Sequence, residues 1–311
     1  MKKLKIKNIE IENNLLLAPM AGYTDVGFRY LAKKYGVGLT CTEMISAKAL
    51  TYNNQKTIDL LSTFEGESPC AVQLFGKEPQ DFYDAIKLPV LDKFDIIDIN
   101  MGCPAPKIFN NGEGCSLMAD IERAEEIVKA CISATERPIT VKFRSGIDQN
   151  SITAVEFAKA MERAGASAIT IHARTKEQGY SGKADLEIAR KVKEAVNVPV
   201  IVSGDCVDLE SYNVILDYTK ADGVMIGRGA LGSPEIFAQI LGKEVEVNKL
   251  QDIKEHMQEF NKFFSEKYVV LNMRSHLAFY LKRAKVSVKT RLEILKANSI
   301  NQILDILKSV L

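Results

Sequence analysis

The stretch Phe94-Asp95-Ile96-Ile97-Asp98-Ile99-Asn100-Met101-Gly102-Cys103-Pro104 decides how the rest of the chain is read. Residues 94–99 make a short apolar, β-branched run, the pattern of a buried strand. Gly102 and Pro104 stop it abruptly. A thiol, Cys103, is thereby presented on a loop just past the carboxyl end of a strand. In parallel sheets and barrels that edge carries the chemistry. The same residue also fits a small thiol packed at a strand end, so its neighbours must decide.

Seven further runs of this kind lie at 15–18, 39–44, 70–75, 138–143, 168–172, 199–202 and 223–226. Helix-periodic stretches separate them, at 26–34, 79–86, 121–134, 153–164, 186–196 and 209–218. Strands alternating with helices imply parallel pairing through right-handed crossovers. Eight units predict an α/β fold closed as a (β/α)8 TIM barrel. An open doubly wound sheet is the alternative, and the lack of G-x-G-x-x-G after the first run counts against it. The 311 residues exceed the ~250 a barrel needs. From about residue 249 only helical spacing remains, as in Ile253, Met257, Phe260 and Phe264. The sequence thus predicts a barrel over 1–244 and an all-helical domain over 245–311.

Composition is that of an ordinary globular chain, 46% hydrophobic and 26% charged. No run approaches the ~20 apolar residues of a membrane span, and Met1-Lys2-Lys3-Leu4-Lys5 has no apolar core or cleavage site. A cytoplasmic chain, off the membrane, is expected. Six dispersed cysteines without a C-x-x-C pair argue against a zinc knuckle or a disulfide framework; no metal is expected. Net charge is +1, yet from Val245 onward twelve Lys and Arg against seven Asp and Glu leave +5. The first 244 residues therefore carry −4. A basic appendage on a mildly acidic body fits this split, as does a solvated helical face.

Polar and Gly-flanked residues follow each run: Pro19-Met20-Ala21-Gly22, Glu43, Gln73, Asn100 with Cys103, Lys142 with Arg144, His172 with Arg174, Ser203-Gly204-Asp205 and Gly227-Arg228-Gly229. One rim of a barrel would gather them. A Lys inside an apolar strand and a His ending another are costly unless used. The last two turns, Gly-rich and before helices, suit an anion, and a barrel's usual phosphate site follows strands seven and eight.

Together these motifs are specific. Ala18-Pro19-Met20-Ala21-Gly22-Tyr23-Thr24-Asp25, Asn100-Met101-Gly102-Cys103-Pro104, Val141-Lys142-Phe143-Arg144, 172–182 and 222–229 resemble the bacterial tRNA-dihydrouridine synthases. The likeness runs in order from about residue 15 to 280. Departures are Ser203 where the family more often has Asn, Ala173 for Gly, a less basic loop after Cys103, and Ser275 and Phe279 in the Arg274-to-Tyr280 stretch.

The resemblance implies tightly bound FMN, NADPH as reductant, and reduction of the C5=C6 bond of a uridine in tRNA by a monomer. It implies that Pro19, Met20 and Ala21 pass over the flavin. Gln73 and Lys142 would bond its polar edge, with His172 nearby. Ser203, Gly204, Asp205, Gly227 and Arg228 would hold its phosphate. Cys103 would be the general acid. Asn100, Arg174, Arg274, His276, Lys282, Arg283, Lys285 and Lys289 would meet the tRNA. A small-pyrimidine FMN reductase of the dihydroorotate dehydrogenase kind, and a non-enzymatic RNA-binding module, are the alternatives; the basic tail speaks against the first and Cys103 with Lys142 against the second.

Overall fold

Alternation along each strand decides what faces inward, and the computed structural model, which describes residues 2–284 and 286–311, shows where it leads. The chain opens with an antiparallel hairpin of β1 (Leu4–Ile6) and β2 (Ile9–Ile11), unforeseen from sequence. Eight parallel strands follow: β3 (Leu15–Leu17), β4 (Thr40–Ser46), β5 (Cys70–Phe75), β6 (Ile96–Met101), β7 (Ile139–Arg144), β8 (Ala168–His172), β9 (Val200–Ser203) and β10 (Gly223–Ile226). Their order is β3-β10-β9-β8-β7-β6-β5-β4. The ends meet where the Leu17 N–H donates to the Leu39 C=O at 2.9 Å. This is the expected eight-stranded barrel.

The helices around it are α1 (Val26–Lys34), α2 (Ala47–Thr51), α3 (Gln55–Asp59), α4 (Pro79–Ile86), α5 (Pro106–Asn110), α6 (Ile121–Ala134), α7 (Ala154–Ala164), α8 (Leu186–Ala195), α9 (Leu209–Thr219) and α10 (Ile236–Ile240). Beyond them come α11 (Lys249–Asn261), α12 (Glu266–Arg283), α13 (Val288–Lys296) and α14 (Ile300–Lys308). The short α2, α3 and α5 lie in loops where no period is long enough to read.

On β6, Ile97, Ile99 and Met101 face outward into the layer shared with the helices. Ile96, Asp98 and Asn100 face the barrel axis, at three successive heights. The same parity holds on β7, where Thr140 and Lys142 point inward. Ile96, Ala71, Ala168 and Leu16 form the lowest layer, and Leu4, Ile6 and Ile11 of the hairpin pack onto it. The amino-terminal end of the barrel is thus plugged by apolar side chains.

Helices α11–α14 have a core of their own, around Met257, Phe260, Met273, Leu277, Ile294 and Leu307. Val26 and Leu31 of α1 belong to it, so this segment packs on the flank of the barrel. At the seam Asp25 caps α1, accepting from the Phe28 N–H at 3.0 Å. It also lies 3.0 Å from His256 Nε2 and 2.9 Å from His276 Nε2. An ionised carboxylate only accepts, so both rings carry their proton on Nε2. Burial would raise the pKa of Asp25, but the two imidazoles outweigh it and hold the carboxyl well below its ordinary value.

Asp25→Ala is expected to cost about 3 kcal/mol of stability at neutral pH, since charged hydrogen bonds contribute about 1.5–3 kcal/mol each. Because the folded pKa is depressed, this contribution is complete above the unfolded value of 3.8 and is lost as pH falls below it. Urea unfolding at pH 7 and at lower pH checks both statements.

Candidate active site

Inward-facing residues at the carboxyl ends of the strands enclose a cavity of about 550 Å³. Pro19, Met20, Ala21, Gln73, Asn100, Cys103, Lys142, His172, Ser203, Gly204, Asp205, Gly227 and Arg228 all line it. Strand parity brings Gln73, Asn100 and Lys142 there from three adjacent strands. They sit side by side, Asn100 being in register with Lys142.

Cys103 is half-buried, whereas the other five cysteines are buried. Its turn is built by Asn100, whose Oδ1 accepts from the Gly102 N–H at 3.1 Å and the Cys103 N–H at 2.9 Å. Arg144 ties this turn to the loop after β8. Its Nε donates to the Gly102 C=O at 3.0 Å, and its Nη1 donates to the carbonyls of Thr175 and Gly179, both at 2.9 Å. Lys176 closes the same gap by lying 4.3 Å above the Phe109 ring.

Lys142 is the charged centre of the cavity. Burial pushes its pKa down to about 8, with the Arg144 guanidinium adding to the fall, while Asp98 opposes it. No side-chain hydrogen bond among the described residues holds its ammonium. Burial, then Lys142 and the nearby arginines, keep His172 neutral, far below its ordinary pKa. Its Nε2 is buried without a partner.

The loops after β9 and β10 meet at one point. A Cβ on Gly229 would stand 2.3 Å from the Cys206 carbonyl oxygen, so only glycine lets the loops touch. Asp205, with φ +54°, turns its carboxylate away to Arg174 Nη2 at 2.7 Å and to the Ala184 N–H. Burial would raise its pKa; those donors more than offset it and hold the carboxyl low. Arg174 Nη1 is left buried without a partner. A Cβ on Gly204 would lie 3.6 Å from that Nη1 and 3.7 Å from His172 Cε1. Two orphaned nitrogen-bearing side chains therefore converge on Gly204, where an anion would satisfy both.

The model of the dihydrouridine synthase family matches residues 16–309. The chain belongs to the dihydrouridine synthase family. A probable tRNA-dihydrouridine synthase of Rickettsia bellii is 39% identical over 287 residues, 89% of this chain and 88% of its own. The tRNA-dihydrouridine synthase B of Vibrio parahaemolyticus is 38% identical over 289 residues, 90% of this chain and 89% of its own. Among solved structures, morphinone reductase superposes with a TM-score of 0.58 at 12% identity, covering 79% of this chain and 90% of its own. A 2-naphthoyl-CoA reductase reaches 0.63 at 12% identity, over 78% and 52%. Those two likenesses bear on the barrel alone.

In this member of the family the residues expected to meet RNA divide. Lys282 and Lys289 are exposed on α12 and α13, and Lys285 lies outside the described residues. Arg274 is half-buried, with its Nε enclosed and unpartnered. His276 is 1% exposed and committed to Asp25, so it serves the seam and not the surface. Arg174 is 2% exposed and committed to Asp205, so it stands behind Gly204 and not at the surface. Arg283 lines the cavity and donates to the carbonyls of Leu231 and Gly229, both at 2.9 Å. Bonds to carboxylates and carbonyls inside the fold, invisible in sequence, separate His276, Arg174 and Arg283 from the exposed Lys282 and Lys289. Arg144 was placed on the rim from sequence but given no role, and Asp98 and the Asp25 cluster were not singled out. For Arg144 and Asp98 the inward parity of their strands was the available signal.

Proposed function

We propose that this chain reduces the C5=C6 bond of a uridine in tRNA, with FMN in the mouth of the barrel and NADPH as reductant. The observation that carries the reading is the pairing of a half-buried thiol, Cys103, with a half-buried ammonium, Lys142, that no side chain among the described residues holds, across one cavity. Membership of the family supports it. FMN fits the residues present. The phosphate would take the orphaned Arg174 Nη1 and His172 Nε2 beside Gly204, with Arg228 and the backbone of Ser203 and Gly227 near it. Lys142 and Gln73 would bond the polar edge of the ring, and Pro19, Met20 and Ala21 would cover it.

Bound there, the flavin supplies the reducing equivalents that reach C6 of the uracil. Lys142 would balance negative charge at the ring's edge. Asn100 has spent its oxygen on the Cys103 turn and its amide N–H groups on Gln73 Oε1 and the Met44 sulfur, so its part is to hold that turn. The Cys103 Sγ–H donates its proton to C5, where charge builds as the double bond is lost. A uridine reaches this depth only when unstacked from its RNA, at a cost of a few kcal/mol. Residues 245–311, with exposed Lys282 and Lys289, would offset that cost through phosphate contacts. The reading carries with it a cytoplasmic location; no helix among the described residues is long and apolar enough to cross a membrane.

The test is direct. The flavin-loaded protein is incubated with NADPH and unmodified tRNA, and nucleosides are analysed by mass. Dihydrouridine is expected at discrete sites. A flavin-loaded, NADPH-oxidising protein that leaves every uridine intact overturns the reading.

A further inference from the structure

One layer below the mouth, Asp98 accepts from Thr140 Oγ1 at 2.6 Å and from Gln73 Nε2 at 2.7 Å. Gln73 Oε1 in turn accepts from Asn100 Nδ2 at 2.8 Å. Asn100 Oδ1 accepts from the Gly102 and Cys103 N–H groups. The four side chains are at most 9% exposed. They form one unbroken line from the barrel's middle layer to the turn that presents Cys103.

The direction of this line is fixed from its upper end. A backbone N–H can only donate, so Asn100 must offer its oxygen to the Cys103 turn. Its NH₂ then faces Gln73, which must offer oxygen. The Gln73 NH₂ then faces position 98, which must accept. Reversing any amide sets donor against donor at the next link, in a place water does not reach. Asp98 closes this order from below by giving the Gln73 N–H an oxygen to donate to; burial raises its pKa to about 6, so the acceptor-only carboxylate still prevails at neutral pH.

We infer that Asp98 is a positioning residue for Cys103, acting through the Gln73 and Asn100 amides, which it holds in the single orientation that builds the Cys103 turn. The inference rests on the proposed uridine reduction for its kinetic consequence, but not for its structural one. What Asp98 supplies is an acceptor and not a charge. Asparagine at 98 also serves, because its NH₂ can turn to the Thr140 hydroxyl while its oxygen keeps Gln73. Leucine, of similar size, offers Gln73 nothing. Misplacement by about 1 Å is enough to cost on the order of 10²-fold in rate.

The experiment compares Asp98→Leu and Asp98→Asn with the unaltered protein. It reads two quantities: kcat for uridine reduction, and the rate at which iodoacetamide alkylates Cys103 in the flavin-free chain. Asp98→Leu is expected to lose about 10²-fold in kcat, to reduce its flavin with NADPH at the normal rate, and to alter Cys103 alkylation several-fold. Asp98→Asn is expected to stay close to the unaltered protein in both. Should Asp98→Leu not fold, Gln73→Met cuts the same line one link higher and is expected to alter alkylation alike. The inference is overturned if folded Asp98→Leu, or Gln73→Met in its place, alkylates as the unaltered protein does. It is overturned equally if Asp98→Asn is as impaired as Asp98→Leu. An unaltered protein that never reduces uridine refutes the proposed function instead, and leaves the alkylation comparison to decide on Asp98.

Discussion

Cys103→Ala is expected to slow uridine reduction about 10²–10⁴-fold, the usual contribution of a positioned general acid, with flavin retained. The thiol sits on a turn whose backbone is held by Asn100 and Arg144, not by the sulfur itself. Removing Sγ therefore leaves the turn, the Lys142 ammonium and the anion end as they are. Reduction of the bound flavin by NADPH should proceed at its normal rate, because that step needs no proton at uracil C5. Rapid mixing separates the two halves. Unchanged transfer to tRNA would refute the acid role, and a colourless variant would show that Cys103 holds the cofactor.

Lys142→Met is expected to weaken flavin binding about 10- to 100-fold, the worth of one hydrogen bond to a charged group. Turnover of whatever flavin remains should fall about 10²-fold, as when one preorganised donor is removed from a site of developing charge. Methionine keeps most of the apolar stem packed between β6 and β8, so the barrel should fold. A pH dependence follows with a definite sign. Burial, then Arg144, bring the ammonium's pKa down to about 8 in the chain without cofactor. Below that value the charge is present and flavin is held; above it the charge is lost. Flavin fluorescence should thus report release as pH rises through about 8, and the release should be absent in Lys142→Met. A variant that is fully yellow and fully active would remove Lys142 from the site.

The barrel was legible because its strands are short, apolar and evenly spaced, and because eight such units without G-x-G-x-x-G after the first favour a closed parallel sheet over an open one. The rim was legible for a related reason. Lys142 and His172 interrupt apolar runs, and a buried charge or imidazole is rarely placed without a use. Asp98 and Thr140 were not read, although they have the inward parity of Asn100 and Lys142 two residues further on. Nothing in a strand's pattern tells which of its polar residues meets another across a barrel. His276 and Arg174 show the converse. Each looks like a free cation in sequence, and each is spent on a carboxylate from a distant segment, Asp25 or Asp205. The hairpin β1–β2 escaped because three-residue strands leave no period to count.

That hairpin has a consequence for traffic. With Leu4, Ile6 and Ile11 stoppering one end of the cylinder, every molecule that enters must leave by the door it came through. On the proposed reading, the dinucleotide that charges the enzyme and the RNA that discharges it cannot share that doorway. They have to take turns.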